Sequence, residues 1–317
     1  MIFSPLARAI TLATAGSILM AAPSLATADF IGDSKANLGF RNLYMNQDTR
    51  HEANTPDNKT KAEWSQAIIL DYKSGFTEGT IGFGVDIYAA TGIKLDSGPH
   101  RTADTFPKRS NGKSVDNFGK LGGTAKAKLS NTVLKVGTLM PRLPVLQSNL
   151  EGRLLPQVFT GGMVTSNEIE GLTANLGHID RVNQRSSSDH ERMQMNVLAK
   201  GLKDKNGTAL TGKNNKNYTS NSFDFATVNY KWNDSLATGY SFARLQDLYK
   251  QHMIDAVHVL PLGDKRSLKT DVRLSRSTND GDFNVDNKAF SGMMTYNFGF
   301  NKLGLGYQKM TGKTGFA

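Results

Sequence analysis

The stretch GTIGFGVDIYAA, residues 79–90, decides how this chain is to be read. Ile81, Phe83, Val85, Ile87 and Ala89 fall on one face, and Gly82, Gly84, Asp86, Tyr88 and Ala90 on the other. Side chains of a strand alternate between its two faces, so a period of two with one apolar set marks a strand with one face in an apolar medium. The alternation recurs in KLGGTAKAKLS, where Leu121, Gly123, Ala125, Ala127 and Leu129 oppose Gly122, Thr124, Lys126, Lys128 and Ser130. It recurs in SLKTDVRLS, where Leu268, Thr270, Val272 and Leu274 oppose Lys269, Asp271, Arg273 and Ser275.

Rougher versions appear in LGFRNLYMN, WSQAIILDYK, TVLKVG, GGMVTSN, GLTANLGH, RMQMNVLAKG, SFDFATVNYKW, LATGYSFARL, HMIDAVHVL, KAFSGMMTYNFGF and KLGLGYQKM. Together they make about fourteen candidate strands, and helical periodicity is nearly absent. Between them, short turns (KSGFTEG, LSNT, NEIEG, KWNDS) alternate with long polar loops such as QDTRHEANTPDNKTK and KDKNGTALTGKNNKNYTSN. Short connections at one end and long ones at the other are the signature of an antiparallel up-and-down β-barrel of the outer-membrane type. A soluble sandwich or propeller would need a second apolar face or a blade repeat, and the sequence has neither.

The ends and the composition agree with an exported barrel. Residues 1–28 combine Arg8, the short apolar run AITLATAGSILMAA and the A-x-A site Ala26-Thr27-Ala28, the pattern of a secretory signal peptide. Residues 29–317 are then the barrel domain. The chain has no cysteine, so neither disulfides nor thiol chemistry contribute. Of the formal charge of +10, one unit is Arg8, and the rest belongs to the exported part. Such a basic surface suits small anions or an anionic membrane surface, and export argues against nucleic acid.

Residues 137–162, GTLMPRLPVLQSNLEGRLLPQVFTGG, carry three prolines, two arginines and many apolar residues without either periodicity. A loop this long is functional or disordered, and disorder would leave its Leu, Val, Met and Phe in water. Folded into a barrel, it can pack on the inner wall, where irregular backbone is tolerated at membrane depth. Arg142 and Arg153 then become candidate gate charges. Lys126, Lys128, Lys135, Lys269 and Arg273 oppose apolar faces and are assigned to the lumen. A charge on the lipid face would cost about 2–4 kcal/mol near the bilayer centre.

Several of these stretches, in order, resemble the OprD family of outer-membrane substrate-specific channels. They are FIGDSKANLGFRNLYMN, YKSGFTEGTIGFGVD, GTLMPRLPVL, GRLLPQVFTGGMVTSNEIEGL, LQDLYKQHMI and GLGYQKMTGKTGFA, and the likeness covers residues 29–317. Within the family the chain is more similar to the OprE- and OprQ-like porins than to the arginine-uptake prototype. The resemblance implies a monomeric barrel of about eighteen strands, with a third loop folded inward and a ladder of basic side chains. It implies that Arg41 matches the family's first-strand arginine, Lys61 a ladder arginine and Arg153 the basic residue of the constriction loop. Gln47 stands where the prototype has a positive residue, a departure from the family's ladder. The family continues beyond Phe316-Ala317, and the expectation is a barrel about four strands short.

The function so implied is passive, selective diffusion of small water-soluble solutes, anionic or zwitterionic and typically carboxylate-bearing. It needs no cofactor, metal or catalytic residue. Outer-membrane lipid or lipopolysaccharide is the other partner. Glu151 or Glu168 would read an amine on the same solute. The alternatives are a barrel-rim hydrolase and a structural or adhesive barrel. Asp280, Asp282, Asn284 and Asp286 alternate as in a calcium loop, but without its central glycine and closing glutamate they read as a solvated loop. The six histidines, from His51 to His258, have no metal-ligand spacing. The sequons at Asn58, Asn206, Asn217 and Asn233 are chance products of Asn-rich loops.

Overall fold

The computed structural model describes residues 28–48, 60–98, 102–148, 152–195, 201–210 and 218–315. The export segment up to Thr27 lies outside them, as do His51, Asn58, His100, Glu151 and Asn217. After a short helix α1 (Ala28–Gly32), the strands are β1 (Lys35–Asp48), β2 (Thr60–Lys73), β3 (Ile81–Asp96), β4 (Asn117–Leu129), β5 (Thr132–Leu139), β6 (Arg142–Leu143), β7 (Leu146–Gln147) and β8 (Val158–Ser166). They continue as β9 (Leu172–Asn183), β10 (Met193–Gln194), β11 (Thr219–Ser220), β12 (Phe223–Lys231), β13 (Leu236–Leu245), β14 (Tyr249–Gly263), β15 (Arg266–Asn279), β16 (Asp286–Phe298) and β17 (Asn301–Gly312).

Thirteen of these form one antiparallel meander in the order β1-β2-β3-β4-β5-β8-β9-β12-β13-β14-β15-β16-β17. The two-residue pairs β6·β7 and β10·β11 stand apart from it. Among the described residues β1 and β17 do not pair with one another, so the sheet is open along both edges. Every sequence candidate became a strand of the sheet except RMQMNVLAKG. Among the described residues of that segment only Met193–Gln194 is extended, and it pairs with Thr219–Ser220 inside a long connection. Its alternating methionines reflect loop packing, since Met195 is buried in an apolar cluster and Met193 lies against it.

The two faces differ as the alternation requires. On β3, Ile81, Phe83, Val85 and Ile87 are 37–57% exposed, whereas Asp86, Tyr88 and Ala90 are at most 8% exposed. Leu121, Leu129, Leu134, Val136, Leu176, Ile254 and Leu274 extend this bare apolar face across the sheet. An apolar band of that size is shielded from water only by lipid or another apolar partner. Both tryptophans border the band. Trp64 of β2 lies towards the long-loop end and donates from Nε1 to Asn42 Oδ1 at 2.9 Å. Trp232 lies in the β12–β13 turn, donates to Thr238 Oγ1 at 2.9 Å and packs edge-on against Tyr230. Aromatic side chains with a polar tip favour such a boundary.

Six short connections sit at one end, residues 74–80, 130–131, 167–171, 232–235, 264–265 and 299–300, whereas at the other end only 246–248 and 280–285 are comparably short. One of them explains the glycines of the opening stretch. The turn after β2 folds back over the inner face of β3, with Ser74 buried and its Oγ accepting from Val85 N at 2.8 Å. A Cβ on Gly84 would stand 2.5 Å from Gly75 O and 2.5 Å from Lys126 Cε. Glycine is what lets the turn and that lysine approach the wall.

Candidate functional site

Loops pack on the concave side of the sheet, and two of them are each fixed by a buried charged side chain of the wall. The first is the β3–β4 connection, residues 102–116. Glu63 of β2 is 1% exposed and accepts from Thr105 N at 2.9 Å and from the Ser114 hydroxyl. Phe106 of this loop stands edge-on to Phe118 of β4, ring centroids 5.2 Å apart. The second is the β5–β8 connection, which contains the miniature hairpin β6·β7 with Arg142 opposite Gln147. Leu154 and Leu155 are fully buried against Ala67, Tyr88, Ala90 and Phe118. On the other side Leu139, Leu146 and Phe159 join a cluster with Ile179, Phe223, Phe225 and Leu245. The apolar residues that made residues 137–162 unfit for water are thus the ones that moor the loop inside.

Lys120 of β4 completes the mooring. Its Nζ donates to Pro156 O at 2.9 Å and Asn183 O at 3.2 Å, and also to Gln184 O. The side chain is 5% exposed, so three carbonyl dipoles replace its hydration shell.

Between the loops and the wall remains a cavity of about 1000 Å³. Arg41, Lys73, Lys135 and Arg142 line it, with Asp71 and Asp86 as the carboxylates. Asp86 sits between two lysines, Oδ1 2.6 Å from Lys126 Nζ and Oδ2 2.8 Å from Lys135 Nζ. Lys73 pairs with Asp71 at 3.0 Å. Arg41 and Arg142 have no carboxylate partner among the described residues, so the cavity carries a surplus of positive charge. Tyr88 also lines it, and its buried hydroxyl has no hydrogen-bond partner among the described residues.

The other sequence candidates sit elsewhere. Lys126 is 7% exposed; it also donates to Ser74 O at 2.6 Å and stands 4.7 Å from the Phe76 ring centroid. Lys128 stands 5.9 Å from that same centroid. Lys61 lies 3.9 Å from Asp104 of the first inward loop. Arg153 donates to Gly152 O of its own loop at 3.0 Å and is not part of the cavity lining. Arg273 pairs along its strand with Asp271 at 3.2 Å. Glu168 is in a short turn and ties it to the neighbouring one, accepting from Thr132 Oγ1 at 2.7 Å, Ser130 Oγ at 2.9 Å and Asn131 N at 2.9 Å. The acidic loop is internally neutralised: Asp280 pairs with Arg244 and Lys250, and Asp282 with Lys205.

An antiparallel meander with an apolar exterior, inward loops and a basic interior is one architecture, and the family comparison supplies its name. Residues 28–317 match the family model described as outer membrane porin, OprD family. The chain belongs to the OprD family of outer-membrane porins. Porin-like protein GalP of Pseudomonas putida is 34% identical over 289 residues, which span 89% of this chain and 65% of GalP. The chain therefore spans less than two thirds of that relative's length. The crystal structure of OpdQ from Pseudomonas aeruginosa matches with a TM-score of 0.76 at 44% identity, over 91% of this chain and 69% of OpdQ. OpdK of Pseudomonas aeruginosa, solved with vanillate, matches with a TM-score of 0.74 at 30% identity, over 89% of this chain and 67% of OpdK.

OprD-family membership puts the apolar outer face against the bilayer of the outer membrane, with short turns on the periplasmic side and long loops outside. The sequence reading missed Lys120, Glu63 and Asp86 as site residues. A signal existed for each. Lys120 and Asp86 occupy the inward phase of their strands, and Glu63 is in phase with Lys61.

Proposed function

We propose that the chain supplies the wall and the constriction of an aqueous channel for small carboxylate-bearing solutes. The observation that carries this reading is the cavity of about 1000 Å³ under the inward loops, in which Arg41 and Arg142 stand without carboxylate partners among the described residues. Low-dielectric walls concentrate the field of such charges and raise the local concentration of anions. A guanidinium presents two parallel N–H donors to a carboxylate, so Arg41 and Arg142 bind it with defined orientation yet leave it exchangeable. Asp86 holds Lys126 and Lys135 at partial neutrality, which keeps the path from trapping its cargo. Arg153 and Lys61, on the two inward loops and their contacts, act on the approach to this cavity. The relative OpdK was solved with vanillate, an aromatic carboxylate, and that supports the same solute class here.

Planar-bilayer recording of the purified protein tests the proposal. Conductance with a preference for anions is expected, reduced when an organic carboxylate is added to the bath. Absence of conductance, or cation preference that carboxylates do not alter, would sink it.

A further inference from the structure

A second concavity lies on the opposite, outer face of the sheet, where β14, β15, β16 and β17 run side by side near the long-loop end. Its volume is about 500 Å³. Outer-face side chains there stand in cross-strand rows. Tyr240, Ile254, Leu274, Phe290 and Lys309 are in register across β13 to β17. One row nearer the long loops stand Phe242, His252, Arg276, Lys288 and Thr311. The lower row is an apolar floor: Ile254, Leu274 and Phe290 are 37–52% exposed on the lipid side. The upper row and Lys309 are a basic rim above it.

The charges of this rim are not used up within the protein. Arg276 pairs with Asp286 at 2.8 Å, and Lys250, one row higher, with Asp280 at 2.6 Å. Lys288 and Lys309 have no ion pair among the described residues, although they occupy neighbouring strands on one face. A soluble anion would gain nothing from the apolar floor, and a neutral lipid nothing from the two ammonium groups. A second copy of the chain, docking by the same face, would oppose like charges.

We propose that this outer face binds a phosphate-bearing acyl lipid of the outer leaflet, of the lipid A type. Its phosphate sits between Lys288 and Lys309, with His252 and Arg276 beside them, and its acyl chains lie over Ile254, Leu274 and Phe290. Ammonium groups near an anionic lipid headgroup attract it, and the floor buries hydrocarbon already inside the bilayer. The site depends on the orientation of the family's barrel in the membrane and not on the channel's cargo.

The test is a titration of the purified, detergent-solubilised protein with bisphosphorylated lipid A, followed by native mass spectrometry. Lys288→Ala/Lys309→Ala is expected to weaken binding by roughly tenfold or more, and Lys288→Arg/Lys309→Arg to retain it. The dephosphorylated lipid is expected to bind as weakly to the unaltered protein as lipid A binds to the alanine variant. Unchanged affinity of the alanine variant, loss in the arginine variant despite a folded β spectrum, or equal binding of the dephosphorylated lipid would each overturn the proposal. So would displacement by inorganic phosphate at a concentration similar to that of the lipid, or dimers formed through this face.

Discussion

The ammonium of Lys120, on the barrel wall, donates to the carbonyl of Pro156, on the inward loop, across 2.9 Å. With the carbonyls of Asn183 and Gln184 it joins three chain segments that are far apart in sequence. Lys120→Met keeps the stem and removes the donors, leaving buried carbonyls unsatisfied at about 1–3 kcal/mol each. The inward loop should loosen. Single-channel recording should give larger and noisier conductance; a trace as quiet as that of the unaltered protein would show that apolar packing alone holds the loop.

Asp86 balances two lysines, and one of them, Lys126, is almost closed off from solvent. Asp86→Asn removes negative charge from the cavity while keeping an acceptor. Reversal potentials in a salt gradient should shift towards stronger anion preference. The unpaired Lys126 should lower stability by up to about 3–5 kcal/mol, the usual cost of leaving a buried charge without its partner. The temperature at which the folded form converts on a heat-modifiability gel reads this second effect.

Arg142 lines the cavity and Arg153 does not. Arg142→Ala and Arg41→Ala should each weaken anion preference, and Arg153→Ala should do so less. Equal loss for Arg153→Ala would mean that the narrowest part of the path lies beside the loop tip.

Glu168 joins two periplasmic turns from outside the spanning strands. Hydrogen bonds from the Thr132 and Ser130 hydroxyls and the Asn131 N–H hold its carboxyl below the ordinary value of 4.5. A depressed folded-state pKa means that the clamp contributes fully above that ordinary value and is lost as the pH falls through the lower, folded one. Glu168→Gln should therefore unfold at lower denaturant than the unaltered protein at neutral pH, with the difference closing in strong acid. A difference independent of pH would assign the clamp to shape instead of charge.

Much of the fold was legible because lipid imposes a simple rule. A strand between hydrocarbon and water must alternate, and residues 81–90 do so, Ile81 to Ala89 outward and Gly82 to Ala90 inward. The rule misread RMQMNVLAKG, because Met193 and Met195 alternate to meet a loop cluster inside the barrel, where burial has the same period as a strand. The loop of residues 137–162 declared its inward course by composition. What it touches was not legible, since Leu154 over Gly92 and Pro156 on Lys120 are contacts between distant segments.

The sequence by itself determined the barrel class, the inward and outward sets, the inward loop and the sign of the interior charge, all consequences of local periodicity and composition. Only the tertiary structure decided which charges act. Lys126 and Lys135 look like equal rungs in the sequence, yet the register of β3, β4 and β5 sets both against Asp86 and leaves Arg41 and Arg142 without carboxylate partners among the described residues. Likewise Lys288 and Lys309 are unremarkable in the chain and become one rim when β16 and β17 align. Cross-strand register is a long-range property that depends on every turn between the partners, so single-strand patterns do not encode it.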